Sequence, residues 1–427
     1  MSDAAEVAST PAAGTRVAEA PLEPEAPSGV VPAARSANIP YLLGVDHLRC
    51  GAALLILYYH GIQLFSAETR YGQMFARENW MRAPDPLSAL VLEGHTAVTL
   101  FIVLSGFIFA FGAQGRHVAY RQFLTNRFFR TYPLLIFMVM LGSAVHLNSI
   151  SLLPLLQTVF GGANLHGAQS LGNFSIMFWS VSLEWQLYLL FPALMVIMNG
   201  RGPARLLPLC ALLLGARAVG FWQGMAPVDG LYSQVLGRLD QFIFGMMAGY
   251  FYAKHRRHPA WTKALGPVVV ALLGAAYAFN HIGGWPAQHW VKLLTPTAEG
   301  ALWALFIPSY VALVDRENYR PGFISRRMIQ VGVLSYSIYL WHFVFIQVQR
   351  SQGWVPRLVE HHELNAILVV TLTTLPATLL FSSLSYEAVE KPFMALRKRY
   401  LATGATAATA TARAPAQSES AELRRVS

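Results

Sequence analysis

A largely apolar segment near the start of the chain, residues 46–60 (DHLRCGAALLILYYH), carries an aspartate, an arginine and, at its end, a histidine. At about 100° per residue, the step from Arg49 to His60 brings both side chains to within about 20° of one helix face and separates them by about 16 Å along the axis. Asp46 lies three residues before Arg49 and falls near the same stripe. Because lipid does not tolerate such a stripe, this helix should turn it toward a protein interior or an aqueous cavity.

His60 has two possible roles in that stripe. Histidine is the side chain that most readily takes a proton from a hydroxyl near neutral pH, so His60 is a candidate general base. The alternative is a core histidine satisfied by one hydrogen bond. The alignment of His60 with Arg49 and Asp46 favours the functional interpretation.

Arg127 and Arg130, in NRFFRTYP, are three residues apart and share a helix face. They could be topology anchors whose side chains reach the membrane surface. Guanidinium groups also bind phosphate oxygens through two parallel hydrogen bonds. With Arg49 at a similar depth, we favour three arginines that converge on one polyanion.

Other ionisable groups lie inside apolar segments. Glu184, in FWSVSLEWQLYLLFP, should have a partner, and His60 is a possible one by depth. His342, at the end of LSYSIYLWH, is a candidate second acid or base, or a hydrogen-bond donor to a substrate. Arg238 and Asp240, in GRLDQFIFG, are expected to form a structural ion pair between helices.

The sequence lacks the motifs of several other kinds of chemistry. Ser105, in FIVLSGFIFAFG, lacks the flanking glycines of a hydrolase nucleophile and is expected to be a helix-packing site. The sequence contains no P-loop and no H-E-x-x-H motif. Cys50 and Cys210 have no paired spacing, so we expect neither a disulfide nor a metal site.

The elements that must position these residues are membrane helices. Of the 427 residues, 54% are hydrophobic and 13% are charged, whereas soluble domains carry about 25% charged residues. The net charge of +10 could indicate nucleic-acid binding, but the basic residues lie in short loops between apolar runs. We therefore expect no nucleic-acid partner and an all-α, polytopic membrane protein with about ten transmembrane helices. The ten apolar segments are 41–65, 95–113, 132–147, 177–199, 204–222, 231–253, 264–281, 296–314, 328–349 and 364–388.

Terminal tails flank the predicted membrane domain at 39–395. Residues 1–38 are rich in Ala, Pro and Glu, and residues 396–427 begin with a basic patch and become Ala/Thr-rich, so both are expected to be disordered. Residues 150–162 are apolar but too short to span and are expected to be interfacial or re-entrant. The loops after the second, fourth, sixth and eighth segments carry more than twice the Lys and Arg of the opposite loops, which places both termini in the cytoplasm.

The residues described above resemble those of the acyltransferase-3 family of bacterial integral-membrane O-acyltransferases. The resemblance covers roughly residues 41–395, and its blocks occur in the family's order within a ten-helix layout. The blocks are DHLRCGAALLILYYH with its Arg–x10–His spacing, FIVLSGFIFAFG, NRFFRTYP with its R-x-x-R, FWSVSLEWQLYLLFP and VGVLSYSIYLWH, with GRLDQFIFGM and SYEAVEKPF in support.

The resemblance implies an activity and assigns roles. The donor is acyl-CoA from the cytoplasm, most commonly acetyl-CoA, with no permanently bound cofactor. The acceptor is a hydroxyl of a cell-envelope glycan, exported polysaccharide or, in some members, a macrolide. Membrane lipids surround the protein in the bacterial cytoplasmic (inner) membrane. The family's essential histidine corresponds to His60, its donor-binding arginines to Arg49, Arg127 and Arg130, and its W-S-x-x-x-E glutamate to Glu184.

The mechanism is open at this point. His60 is either a general base that Glu184 orients or a covalent carrier of the acyl group. A transporter or flippase for a glycan or lipid-linked sugar is the alternative function, since buried charges also line transport paths, and a scaffold role is a further one. Transporters often show internal pseudo-symmetry, which this sequence lacks. The loop at 66–94 is the candidate acceptor rim.

Overall fold

The computed structural model describes residues 38–402 except 73–75, 77–78, 225–231, 285, 288 and 317–318. Of the predicted tails at 1–38 and 396–427, residues 1–37 and 403–427 lie outside the described residues. The described part is almost entirely helical, which confirms the predicted all-α membrane architecture.

The helices follow one another along the chain with short connections. The first eight helices and the first strand are α1 Leu43–Tyr71, α2 Pro86–Leu92, α3 Thr96–Ala113, β1 His117–Val118, α4 Tyr120–Val145, α5 Leu152–Gln157, α6 Phe178–Arg201, α7 Leu207–Trp222 and α8 Val235–Lys254. The remaining elements are α9 Ala260–His281, α10 Thr295–Val314, α11 Phe323–Val333, α12 Ser335–Ser351, α13 His362–Val369, α14 Leu375–Ser385, α15 Lys391–Met394 and β2 Leu401–Ala402. Short 3₁₀ or π turns occur at Leu147–Ser149, Thr158–Gly162, Gly172–Phe174, Pro203–Leu206, Trp290–Leu293, Val370–Thr374 and Tyr386–Glu390.

In the described residues, eight helical segments are long and apolar enough to cross a membrane, and α11 with α12 would make a ninth, bent by 74°. The sixth predicted segment, 231–253, coincides with α8 where it is described. That helix is less apolar than the others, since Arg238, Asp240 and Gln241 lie within one of its turns. It packs among α3, α6, α7 and α10. The described count is therefore eight or nine rather than ten.

The contact between α3 and α8 depends on small residues. A Cβ atom at Gly106 would lie 2.3 Å from the Phe242 carbonyl oxygen, and one at Gly245 would lie 2.1 Å from the Val103 carbonyl oxygen. Only glycine allows the two backbones to approach this closely. The packing site predicted at Ser105 thus belongs to its neighbour Gly106, while the Ser105 hydroxyl donates a hydrogen bond to Glu184.

A buried ion pair ties α7 to α8, but it does not contain both predicted residues. Arg217 of α7 donates to Asp240 at 2.6 Å, and both side chains are fully buried. Arg238 donates instead to the Thr99 hydroxyl at 2.9 Å. Arg238 and Asp240 are two residues apart on one helix and point in different directions, so the predicted pairing of these two is wrong.

Helix α1 lies among α3, α11, α12 and α13. Its first turn receives a cap from another helix, because the Asp315 carboxylate after α10 accepts from the backbone N–H groups of Leu43 at 2.8 Å and Gly44 at 3.4 Å. An acidic group at a helix N-terminus satisfies free donors and favours the helix dipole. This cap holds the end of α1 that carries Arg49.

The chain after α15 is anchored rather than free as far as residue 402. The Asn126 side chain donates to the Lys398 carbonyl and accepts from its N–H at 2.8 Å, and β2 pairs antiparallel with β1. Tyr400 is 2% exposed. The tail expected to be disordered from residue 396 is therefore ordered over its first residues, because asparagine side chains satisfy its backbone.

The apolar segment predicted to be interfacial or re-entrant forms a short helix with its π turn, Leu152–Gly162. Leu152, Leu153 and Phe160 are each at least 70% exposed. A short helix with an exposed apolar face fits either expectation. The cytoplasmic placement of both termini stays a prediction.

Candidate active site

His60 is held by a second histidine. Its Nδ1 lies 3.0 Å from Nε2 of His342 on α12, and the two rings stack with centroids 5.2 Å apart. Nδ1 of His342 lies 3.1 Å from the Ile338 carbonyl oxygen. Because a carbonyl only accepts, His342 carries its proton on Nδ1 and its Nε2 accepts from His60. Neutral His60 therefore keeps its lone pair on Nε2, as a base or nucleophile requires.

The structure places His342 against His60 and not among the lining residues of the cavities described below, and its predicted role stays a prediction. Its side chain is fully buried behind His60, and both of its ring nitrogens are hydrogen-bonded. A side chain in this place orients His60 and fixes its tautomer.

Glu184 is also placed differently from the expectation that it orients His60. One carboxylate oxygen accepts from the Ser105 hydroxyl at 3.0 Å and from the Tyr188 hydroxyl one turn along α6. His60 instead donates its hydrogen bond to His342 of α12. Depth along a helix, which suggested the pairing, does not determine which neighbouring helix a side chain faces.

His60 lines a cavity that encloses about 430 Å³ of empty space, which we call the histidine cavity. Its wall is mainly aromatic and contains a further histidine, His95. The lining residues are Ile56, Tyr59, His60, His95, Val98, Met177, Trp179, Tyr232 and Tyr339. A pocket with aromatic walls and few polar groups is typical of small-molecule sites.

A second cavity of about 890 Å³ of empty space contains all three predicted donor-binding arginines, and we call it the arginine cavity. The structure thus brings Arg49 of α1 together with Arg127 and Arg130 of α4. The polar and charged lining residues are Arg49, Ser105, Arg127, Arg130, Thr131, Ser180, Glu184, Tyr188, Ser335, Tyr336 and Tyr339.

Each arginine is held in a different way. Arg49 pairs with Asp46 at 3.2 Å, one turn earlier on α1. Arg130 pairs with the fully buried carboxylate of Glu390 at 2.5 Å. Arg127 has its guanidinium 4.8 Å from the centre of the Phe109 ring. Glu184 lines the same cavity, so three carboxylates, those of Asp46, Glu390 and Glu184, accompany the three arginines. The guanidinium groups are the donors there that could bind phosphate oxygens.

A fourth arginine stands near this cavity and was not predicted as part of the site. Burial, together with the positive charges of Arg127, Arg130 and Arg49, lowers the pKa of Arg397 to about 10. Its Nε donates to the Met394 carbonyl at 3.0 Å. The basic patch was visible in the sequence, but only the anchored segment after α15 brings it to α4.

The two cavities adjoin. Val98 and Tyr339 line both of them, and the Tyr339 hydroxyl is 2.7 Å from the Ser180 hydroxyl, which lines the arginine cavity. A long ligand with a phosphate-bearing end among the arginines could therefore extend past Tyr339 toward His60. The cavities combine an anion-binding end with a basic nitrogen at the other end.

His95 in the histidine cavity was also missed by sequence reasoning. It is 7% exposed and lies one residue before α3. A lone histidine at the end of a loop carries no spacing signal, and its contact with the α1 residue Tyr59, at a ring-centroid distance of 5.9 Å, depends on the fold. Thr131, which lines the arginine cavity, accepts a hydrogen bond from Trp185 at 2.8 Å.

Comparison with known proteins agrees with the helical architecture. A family model described as an acyltransferase domain, that of acyltransferase-3, matches residues 42–386. The chain is 26% identical over 411 residues to the acyltransferase MdmB of Streptomyces mycarofaciens, a match that covers 88% of this chain and 97% of that protein. It is 25% identical over 271 residues to the putative membrane-bound transacylase BcsY of Komagataeibacter xylinus, covering 60% of this chain and 67% of that protein.

No solved structure matches the chain at a significant level. The family match spans most of the chain, including the helices that carry His60, both cavities and the R-x-x-R pair. The chain therefore belongs to the acyltransferase-3 family of membrane acyltransferases.

Proposed function

We propose that this protein moves a short acyl group, most simply acetyl, from cytoplasmic acyl-CoA to a hydroxyl of a cell-envelope or exported glycan, or of a similar acceptor. The bacterial inner membrane is its proposed location. The observation that carries this proposal is the pair of adjoining cavities, one lined by three arginines and the other by His60.

The arginine cavity suits the donor. Acyl-CoA carries several phosphate charges at one end and a thioester at the end of a long, flexible arm. Arg49, Arg127 and Arg130 would bind the phosphates, since guanidinium groups pair well with phosphate oxygens. The arm would then extend past Tyr339, which belongs to both cavities.

Two routes at His60 are compatible with its tautomer. In the direct route, Nε2 takes the proton from the acceptor hydroxyl while the hydroxyl oxygen bonds to the thioester carbon and the C–S bond breaks. In the covalent route, Nε2 bonds to the thioester carbon and CoA leaves as the thiolate. The acceptor hydroxyl oxygen then bonds to the acyl carbon, its proton passes to the thiolate, and the C–N bond breaks with its electron pair returning to Nε2 of His60. His342 serves both routes, because it keeps the lone pair on Nε2 of His60.

The proposal is tested by the ester content of envelope glycans and secreted polysaccharide in three strains. One expresses the intact chain, one expresses His60→Ala at matched membrane levels, and one lacks the gene. We expect O-acyl esters with the intact chain alone. The identity of the esterified glycan would reveal the acceptor.

A conservative variant separates orientation from chemistry. His342→Gln removes the imidazole that orients His60 but leaves His60 itself, so ester content should fall without a loss of acetyl-CoA binding. If the strains with the intact chain, with His60→Ala and without the gene had equal ester content while acyl-CoA was available, this would contradict the proposal and favour transport.

A further inference from the structure

The histidine cavity contains a second imidazole that has its own carboxylate. His95 Nε2 lies 3.1 Å from Oε2 of Glu93, and the two side chains are 8% and 3% exposed. The other carboxylate oxygen, Oε1, accepts from the indole N–H of Trp80 at 2.8 Å and from the Asn280 amide at 2.7 Å. The two oxygens of Glu93 thus have separate roles, because Oε2 contacts His95 while Oε1 contacts Trp80 and Asn280.

The contact with Glu93 sets the tautomer of His95. A carboxylate only accepts, so the proton of the neutral ring sits on Nε2 and its lone pair on Nδ1. A carboxylate in this place also stabilises the imidazolium that forms when the ring takes a proton. His95 therefore has the tautomer and the charge partner of a general base.

The segment Glu93–Gly94–His95 is pressed against α1 beside His60. A Cβ atom at Gly94 would lie 2.5 Å from the Cβ of Tyr59, the residue before His60. This close approach is what lets His95 and His60 line one cavity. Replacing Gly94 by any larger residue would force the two histidines apart.

The same carboxylate is tied to the loop that was predicted as the acceptor rim. Asn280 of α9, which is fully buried, donates to the Met81 carbonyl at 3.0 Å and accepts from the Ala83 N–H at 2.7 Å. Its amide also reaches Glu93. The described end of the rim loop is therefore anchored beside His95.

We propose that His95 is the general base for the acceptor hydroxyl and that Glu93 is its positioning residue, which leaves His60 to act on the acyl donor. This inference rests on the proposed acyl transfer. It assigns the two imidazoles of the histidine cavity to the two substrates.

Atoms and electrons balance in this step. The hydroxyl proton passes to Nδ1 of His95 as the hydroxyl oxygen bonds to the acyl carbon. The bond from that carbon to its donor atom breaks, and the electron pair leaves with the donor atom, which is the CoA sulfur or Nε2 of His60. The proton on His95 then passes to the thiolate or to solvent, and the neutral ring is restored.

The sharpest test is Glu93→Gln, because it changes the tautomer and little else. The glutamine Oε1 can keep the bonds from Trp80 and Asn280, while its NH₂ group faces His95 and donates to Nε2. The ring must then carry its proton on Nδ1, where it cannot accept one. General-base catalysis contributes about 10²–10⁴-fold, so kcat should fall by that order while the Kd for acetyl-CoA is unchanged.

The assay uses the full chain in lipid nanodiscs with [¹⁴C]acetyl-CoA and an envelope-glycan extract as the acceptor probe. His95→Gln should lose at least as much kcat as Glu93→Gln. The control is Asn280→Leu, which loosens the rim loop but keeps the Glu93–His95 pair. It should mainly raise the KM for the extract and lower kcat by less than about tenfold.

The outcomes separate a failure of this inference about His95 from a failure of the proposed acyl transfer. Wild-type kcat in Glu93→Gln and His95→Gln would overturn the role of His95. So would a loss of acetyl-CoA binding in parallel with kcat, or an equal kcat loss in Asn280→Leu, because either would indicate a structural role. A wild-type protein that transfers no label would instead contradict the proposed function.

Discussion

The pair Arg130–Glu390 offers a test that separates folding from donor binding. The Glu390 side chain is fully buried, and its partners are the Arg130 guanidinium at 2.5 Å and the Ser337 hydroxyl. Arg130 itself is 20% exposed and lines the arginine cavity. One side chain thus balances a buried charge and is also proposed to bind phosphate.

Replacing Arg130 by Met alone leaves a buried carboxylate with one hydroxyl donor. Removing one partner of a buried ion pair costs about 3–5 kcal/mol, and we expect a destabilisation in that range. In the double variant Arg130→Met, Glu390→Gln, the amide is neutral and can keep its contact with Ser337. Most of the lost stability should therefore return.

In the double variant, acetyl-CoA binding should stay weak even though the stability recovers. A hydrogen bond to a charged group contributes about 1.5–3 kcal/mol, and about 1.4 kcal/mol corresponds to tenfold in Kd. The double variant should therefore bind acetyl-CoA about 10- to 150-fold more weakly than the wild type. Glu390→Gln alone should bind acetyl-CoA nearly as well as the wild type, because it keeps the Arg130 guanidinium.

The assays are thermal unfolding in detergent, followed by size-exclusion fluorescence, and equilibrium binding of acetyl-CoA. Wild-type acetyl-CoA binding by the folded double variant would refute a role of Arg130 in donor binding and leave it a structural role alone. A double variant as unstable as Arg130→Met would refute the charge-balancing role of the pair.

Two further predictions concern stability. Burial raises the pKa of Asp315 from 3.8 to about 6, with a smaller contribution from Asp46, so the folded chain holds this proton more tightly than the unfolded chain. The unfolding free energy should then fall by up to about 3 kcal/mol as the pH rises from the lower to the higher of these two pKa values. Melting curves taken from pH 4 to 7 should show this loss of stability in the wild type and not in Asp315→Asn. Gly245→Ala places a Cβ atom 2.1 Å from a backbone oxygen of α3 and should lower the melting temperature. In the control Gly274→Ala, the new Cβ atom has no neighbour within 4 Å, and the melting temperature should not fall. Equal melting temperatures of the two variants would contradict the close approach of α3 and α8.

Much of the site could be predicted from the sequence because helical periodicity carries information along one element. The shared face of Arg49 and His60 follows from helix geometry, and the spacing of Arg127 and Arg130 follows in the same way. The structure brings the three arginines into one cavity and opens another at His60. The all-helical membrane architecture was predictable from composition and apolar segments.

The pairings between helices could not be predicted in this way. Glu184 was assigned to His60 by depth, but the helices turn Glu184 toward Ser105 and His60 toward His342. Asp240 was assigned to its near neighbour Arg238, but its cation is Arg217 from another helix. Which faces meet depends on packing among many helices, for which a single sequence carries no signal.

The missed residues share a physical reason. His95 and Arg397 lie at the ends of helical elements, where no periodic pattern marks a face. His95 joins the site because Gly94 allows close contact with α1, and Arg397 joins because asparagine side chains anchor the chain after α15. Such long-range contacts appear only in the folded chain.

The most direct test of the central claim measures acetyl transfer and acetyl-CoA binding on the same purified protein. The variants are His60→Ala and a control, His47→Ala, which removes another buried histidine of α1 that contacts Tyr310 and Ser325 and lines neither cavity. We expect His60→Ala to bind [¹⁴C]acetyl-CoA with the wild-type Kd but to transfer no label to envelope glycan, while folded His47→Ala still transfers. Wild-type transfer by His60→Ala would contradict the proposed role of His60.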